Sequence, residues 1–124
     1  MKIIDAISRL DALKLNTFSQ SDKVKWLSKL DSMIKNNVID THEGADAVTF
    51  TGYDDSTDLN TVLLAPEPYD DMYLRWMEAQ IDYHNKEYND YNNAIIMFNT
   101  IFDAYKGYYN GIHKPVNHGK RFLF

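Results

Sequence analysis

Between Tyr69 and Lys106 the chain carries neither glycine nor proline. Placed at 100° intervals, Tyr73, Met77, Gln80, His84, Tyr88, Tyr91, Ile95, Phe98, Phe102, Tyr105 and Tyr109 fall within about 60° of one line. A stripe that holds its phase this long predicts one continuous helix over 69–109. At 1.5 Å per residue it would run about 60 Å, with a kink allowed between Asn85 and Asn93. Asp70 and Asp71 stand where a helix N-terminus favours negative charge. A chain of 124 residues is too small to bury such a helix along its whole length. Part of it is therefore expected to be covered from outside the monomer, and the apolar run "AIIMFNTIFDAY" is expected in the core.

Ahead of this segment, Ile3, Ile4, Ile7, Leu10 and Leu13 recur at helical spacing, which predicts a short amphipathic helix over 2–14. Ser19 with Asp22 three residues on, or Ser21 in its place, reads as an N-cap, and Phe18 is placed as a hydrophobic staple. A second helix should follow over 20–41, with Leu27, Leu30, Ile34 and Val38 on one face and Trp26 and Met33 widening it. The excursion 44–68 breaks the helical pattern. Val48 and Phe50 alternate with polar residues, and Gly44, Gly52, Pro66 and Pro68 punctuate it. A short strand or β-hairpin is expected near 47–64. The fold class is thus mainly α: one helical domain over 1–111, with an extended or hairpin excursion in its middle. Residues 112–124 are expected to form a mobile tail.

The formal net charge of -5 conceals a sharper division. Residues 40–90 hold 13 acids and 2 bases, residues 1–39 hold 4 and 7, and residues 91–124 hold 1 and 4. An acidic middle between basic ends is not the clustered Lys and Arg surface that phosphate binding needs. It suits contact between the middle of one copy and the ends of another. No stretch approaches the roughly 20 apolar residues that span a bilayer, and Asp5, Arg9 and Asp11 interrupt the first apolar run. Neither a signal peptide nor a membrane anchor is expected.

Chemistry finds little to stand on. Without cysteine there is no disulfide, thiolate nucleophile or Cys-based metal site. Glu78, Asp82, His84 and Glu87 lie close together, but no Glu-x-x-His occurs, and on a helix Glu78 and Asp82 point away from the His84 stripe. His84 fits a buried or interfacial role better than a metal ligand. No G-x-S-x-G elbow or phosphate-cradling glycine motif is present, and His42, His84, His113 and His118 are scattered. The acids of "YDDSTD" sit in a polar loop with nothing beside them to raise a pKa. No catalytic, cofactor-binding or metal-binding residue is assigned.

Tyrosine is the anomaly, with nine copies, six of them between Tyr83 and Tyr109. A large ring with few rotamers and one hydroxyl favours partly wet interfaces. Tyr53, Tyr69, Tyr83, Tyr88 and Tyr91 are the candidate interface residues. Phe122 and Phe124 join them, because the basic segment "IHKPVNHGKRFLF" carries apolar residues that suit docking on a neighbour as a strand or plug.

Three segments, "WLSKLDSMIKNNVIDTHEG", "YDDSTDLNTVLLAPEPYDDMYLRWMEAQIDYHNKEYNDYNNA" and "FNTIFDAYKGYYNGIHKP", resemble a small protein of phages and prophages of Gram-positive bacteria. The resemblance runs from about Leu10 to Pro115 and is to the helical head-to-tail connector, or head-completion, class of tailed-phage structural proteins. It implies a protein without enzymatic activity or cofactor, made in the bacterial host cytoplasm and incorporated in the virion. Such a protein binds the portal as a homo-oligomeric ring, extends the DNA channel and meets tail or adaptor proteins, with neither membrane contact nor sequence-specific nucleic-acid binding. The chain departs from the pattern at "VNHGKRFLF", which is longer and more apolar than the resemblance leads one to expect. Two other function classes remain open on the sequence. One is an acidic anti-restriction or nucleic-acid mimic using the acids of 40–90, and the other is a small metal-dependent enzyme.

Overall fold

Helix α1 (Ile3–Leu13) buries Ile3, Ala6, Ile7 and Leu10, the three- and four-residue spacing of one helical face. Two backbone N–H groups of its first turn have no partner within the helix and find one in the loop: Ile3 donates to the Thr61 carbonyl at 3.0 Å and Ile4 to that of Leu59 at 2.9 Å. Helix α2 (Gln20–Ile34) starts where Ser19 Oγ accepts the Asp22 N–H at 3.1 Å. It buries Val24, Leu27, Leu30 and Ile34. The chain then continues as a wider π turn over Lys35–Ile39, closed by Asp40 N–H donating to the Lys35 carbonyl at 2.8 Å, which sets Val38 and Ile39 side by side in the core. Phe18 packs edge-on to Trp26, with ring centres 5.2 Å apart. This computed structural model describes residues 1–116.

The expected 40-residue helix is two helices, α3 (Asp71–His84) and α4 (Tyr88–Ile112). The break lies at Asn85–Glu87, and its geometry is a Schellman stop. Glu87 N–H donates to the Asp82 carbonyl at 2.8 Å, Lys86 N–H to that of Tyr83 at 3.1 Å, and Lys86 takes the left-handed conformation with φ 62°. The chain reverses here, so α3 and α4 form an antiparallel hairpin. Tyr83 meets Tyr91 at 5.5 Å, Trp76 meets Phe98 at 5.3 Å and Tyr69 meets Tyr105 at 5.7 Å, each pair further from the turn than the last. The long apolar stripe thus faces itself and α1–α2. A straight helix would have left half of it in water, and the hairpin removes that cost.

Four helices make the fold mainly α, and among the described residues the excursion 44–68 contains no β-hairpin. Apart from the 3₁₀ turn Ala45–Ala47 it runs as irregular chain across the helices. The expected strand goes no further than a single antiparallel bridge from Val62 to Lys2, and two of its backbone donors go to side chains of α2. Tyr53 N–H donates to Ser28 Oγ at 3.0 Å and Leu64 N–H to Asp31 Oδ2 at 3.2 Å. Gly52 turns the chain just before the first of these, with a left-handed φ of 97° that favours glycine.

The core cluster draws on every helix, with Ile3, Leu10, Leu27, Leu30, Met77 and Phe98 among its members. The run "AIIMFNTIFDAY" is only half inside it. Phe98 and Tyr105 are buried, whereas Ile96 is 62% exposed and Met97 44%. α4 lies at the edge of the bundle and has a neighbour on one side, so an apolar residue opposite Phe98 has nothing to pack on. No helix of the described residues is long and apolar enough to cross a membrane.

Candidate interface surfaces

An acid stands on the apolar face of α2. Asp31 is fully buried between Leu27, Leu30 and Ile34. Its Oδ1 accepts the Tyr73 hydroxyl at 2.6 Å, and its Oδ2 accepts the Tyr53 hydroxyl and the Leu64 N–H. Tyr73 in turn accepts the Ala65 N–H at 2.7 Å. Burial pushes the Asp31 carboxyl up from its ordinary range, and the tyrosine hydroxyls partly oppose that shift by hydrogen bonding to the charged form. Burial, with the carboxylate beside them, drives both tyrosine hydroxyls well above their usual range, so they remain donors. One carboxylate thereby ties α2, α3 and two points of the excursion together. Tyr53, expected at an interface, is instead half-buried in this lock.

The other candidate tyrosines divide between the two ends of the hairpin. Tyr69 is half-buried at the open end, with its ring 5.1 Å from Tyr108 as well as near Tyr105. Tyr83 and Tyr88, 56% and 54% exposed, and half-buried Tyr91 gather at the hairpin tip. His84 continues this patch. It is exposed, stacks on Trp26 at 6.2 Å and lies 5.6 Å from Phe18, so it acts as an aromatic surface. Trp26 is held by the Trp76 indole N–H, which donates to its carbonyl at 2.9 Å. Phe122 and Phe124 lie outside the described residues.

Behind the tip, carboxylate oxygens of Asp82, Glu87 and Asp90 lie within 4.8 Å of one another. Asp82 is buried, and the ammonium of Lys14, the residue that ends α1, is ion-paired to it and lies 3.9 Å from Glu87. Close pairing of the Lys14 ammonium with the Asp82 carboxylate, helped by the neighbouring acids, raises the Lys14 pKa against the opposing effect of burial. The cluster thus contains its own cation, and a metal ion would have to displace it. Glu78 takes no part and pairs with Arg75 at 2.6 Å.

At the open end, Ile39, Val48, Leu64, Tyr105, Tyr108 and Ile112 line an apolar groove of about 300 Å³. Tyr109 closes its back, edge-on to the buried His42 ring at 4.9 Å and stacked on His113 at 4.1 Å. His42 is fixed from both sides. Its Nδ1 faces the Val38 carbonyl at 2.5 Å and its Nε2 meets the Asn110 side-chain amide.

Sequence reasoning missed Asp31, Lys14 and His42. Asp31 had a signal, an acid inside the Leu27, Leu30, Ile34 stripe. Lys14 and His42 had none, because Asp82 and Asn110, which pair with them, are 68 residues distant in the chain. Comparison with models of protein families, with curated proteins and with solved structures finds no match to this chain.

Proposed function

We propose that this chain is a non-enzymatic structural protein of a tailed-phage or prophage particle, a head-to-tail connector that binds the portal as a ring and links it to tail or adaptor proteins. The observation that carries the reading is the uncovered side of the α3–α4 hairpin. Ile96 and Met97 on α4, with Tyr83 and Tyr88 at the tip, present apolar and aromatic surface that the monomer leaves in water. The resemblance of the three segments supplies the biological setting. The virion is the proposed location.

The nucleic-acid-mimic reading draws less support. Of the acids between 40 and 90, Asp70 and Asp82 are buried, Asp40 and Glu78 pair with Lys35 and Arg75, and exposed Asp54 accepts hydrogen bonds from Ser56 and Thr57. The other eight are spread over residues 43–67 of the loop, the first turn of α3 and the hairpin turn.

The test is mass measurement of the purified chain alone and mixed with the portal protein of the same particle. The expected outcome is a discrete ring on the portal. A chain that stays monomeric and never joins portal or tail complexes removes the connector reading.

A further inference from the structure

The groove at the open end of the hairpin is apolar in a way that the described chain does not use. Val48 and Leu64 form one wall, Tyr105, Tyr108 and Ile112 the other, and Tyr108 and Ile112 are exposed. Its volume of about 300 Å³ is at the low end for ligand clefts, roughly 300–1,000 Å³. That is room for one or two large apolar side chains. Exposed Glu43, Asp46 and Glu67 each neighbour a lining residue in the chain, and none of them pairs with a base among the described residues.

The sequence 117–124, Asn-His-Gly-Lys-Arg-Phe-Leu-Phe, has the complementary chemistry: three apolar residues preceded by Lys120 and Arg121. In an extended segment Phe122 and Phe124 share one face. The direction in which the described chain ends favours a groove other than its own wall at Val48. Glu43 N–H donates to the Lys114 carbonyl at 2.7 Å, and Val116 N–H donates to the Thr41 carbonyl at 2.8 Å. The chain therefore passes Glu43 first and Thr41 second, travelling from Lys114 to Val116 away from Gly44, Ala47 and Val48. From Val116 to Phe122 an extended chain covers at most about 20 Å.

We propose that residues 118–124 of one copy dock in the groove of a second copy, with Phe122 and Phe124 between Val48, Leu64 and Tyr108, and Lys120 and Arg121 against Glu43, Asp46 and Glu67. The contact is head-to-tail, each copy giving one segment and receiving another, and contacts of that kind close into rings when the rotation allows. The proposal deepens the assembly reading and rests on it for its biological meaning, but its test needs no portal.

Because the chain has no cysteine, single thiols report contact cleanly. The Val48→Cys and Phe124→Cys variants are mixed as concentrated protein and oxidised. A covalent dimer containing one of each is expected, whereas Ile96→Cys in place of Val48→Cys should give roughly tenfold less. Adding Tyr108→Asp to the Val48→Cys chain should lower the yield by a similar factor, and so should an excess of a peptide of residues 116–124. In the Val48→Cys, Phe124→Cys double variant, disulfides formed only within one chain would place the segment in its own groove and overturn the proposal. Equal yields from the Val48 and Ile96 positions, or no crosslink at all, would overturn it too. Crosslinking without portal binding would sink the connector reading alone, and portal binding without crosslinking would sink this contact alone.

Discussion

The Tyr73 hydroxyl holds the most exacting position in the molecule, donating to Asp31 while accepting from Ala65. Tyr73→Phe keeps the ring and leaves a buried N–H and a carboxylate oxygen each short of a partner. It should cost about 2–3 kcal/mol, read as a lower urea midpoint at unchanged slope. Asp31 sets a pH dependence with a definite sign. Burial raises its folded pKa above the ordinary 3.8, so the fold prefers the protonated acid. The resulting contribution to stability is complete below the unfolded pKa and is lost as pH rises through the folded one. Relative to Asp31→Asn, the wild-type chain should therefore gain stability as pH is lowered from 7 toward 4. Urea titrations of both chains across that range check it, and a constant difference would mean that burial does not penalise the charge.

At the scale of elements, the hairpin turn is the decisive piece, and Lys86 is its weakest residue. A lysine at φ 62° pays the crowding of Cβ against the carbonyl that glycine escapes, about 1 kcal/mol or somewhat more. Lys86→Gly should raise the melting temperature by about 4 °C, and a fall would show that the Lys86 side chain makes a contact that matters. Lys14 fastens the same turn to the end of α1. Lys14→Met strands the buried Asp82 carboxylate and should cost about 2–4 kcal/mol, of which Asp82→Asn in the same chain restores a large part. Denaturant unfolding of the two single variants and the double variant measures the coupling.

For the whole molecule, folding and assembly fall on different residues. Tyr88 is more than half exposed, so Tyr88→Ala should change the stability of the isolated chain by no more than about 0.5 kcal/mol. In the assembled state the same truncation should cost on the order of 1–3 kcal/mol of association, seen as a weaker ring by mass measurement. Tyr53→Ala should show the reverse, lowering stability through the Asp31 lock. An equal effect of both on stability would place Tyr88 within the fold rather than at an interface.

The sequence by itself determined what is local. The faces of α1 and α2 and the Ser19 cap were legible, because helical spacing and a cap within three residues need no distant partner. The phase of the stripe from Tyr73 to Tyr109 was legible too, but not its path. A stripe constant in phase suits a straight helix and a hairpin equally, and the residue that reverses the chain is a lysine where glycine or asparagine is the usual sign. That the chain turns at Lys86 follows from packing, since the gain comes from burying both halves of the stripe on one core. The same holds for Asp31 and His42. The tyrosines that hold Asp31 and the Asn110 that meets His42 lie 22 to 68 residues away, and proximity across that distance exists only once the helices have packed.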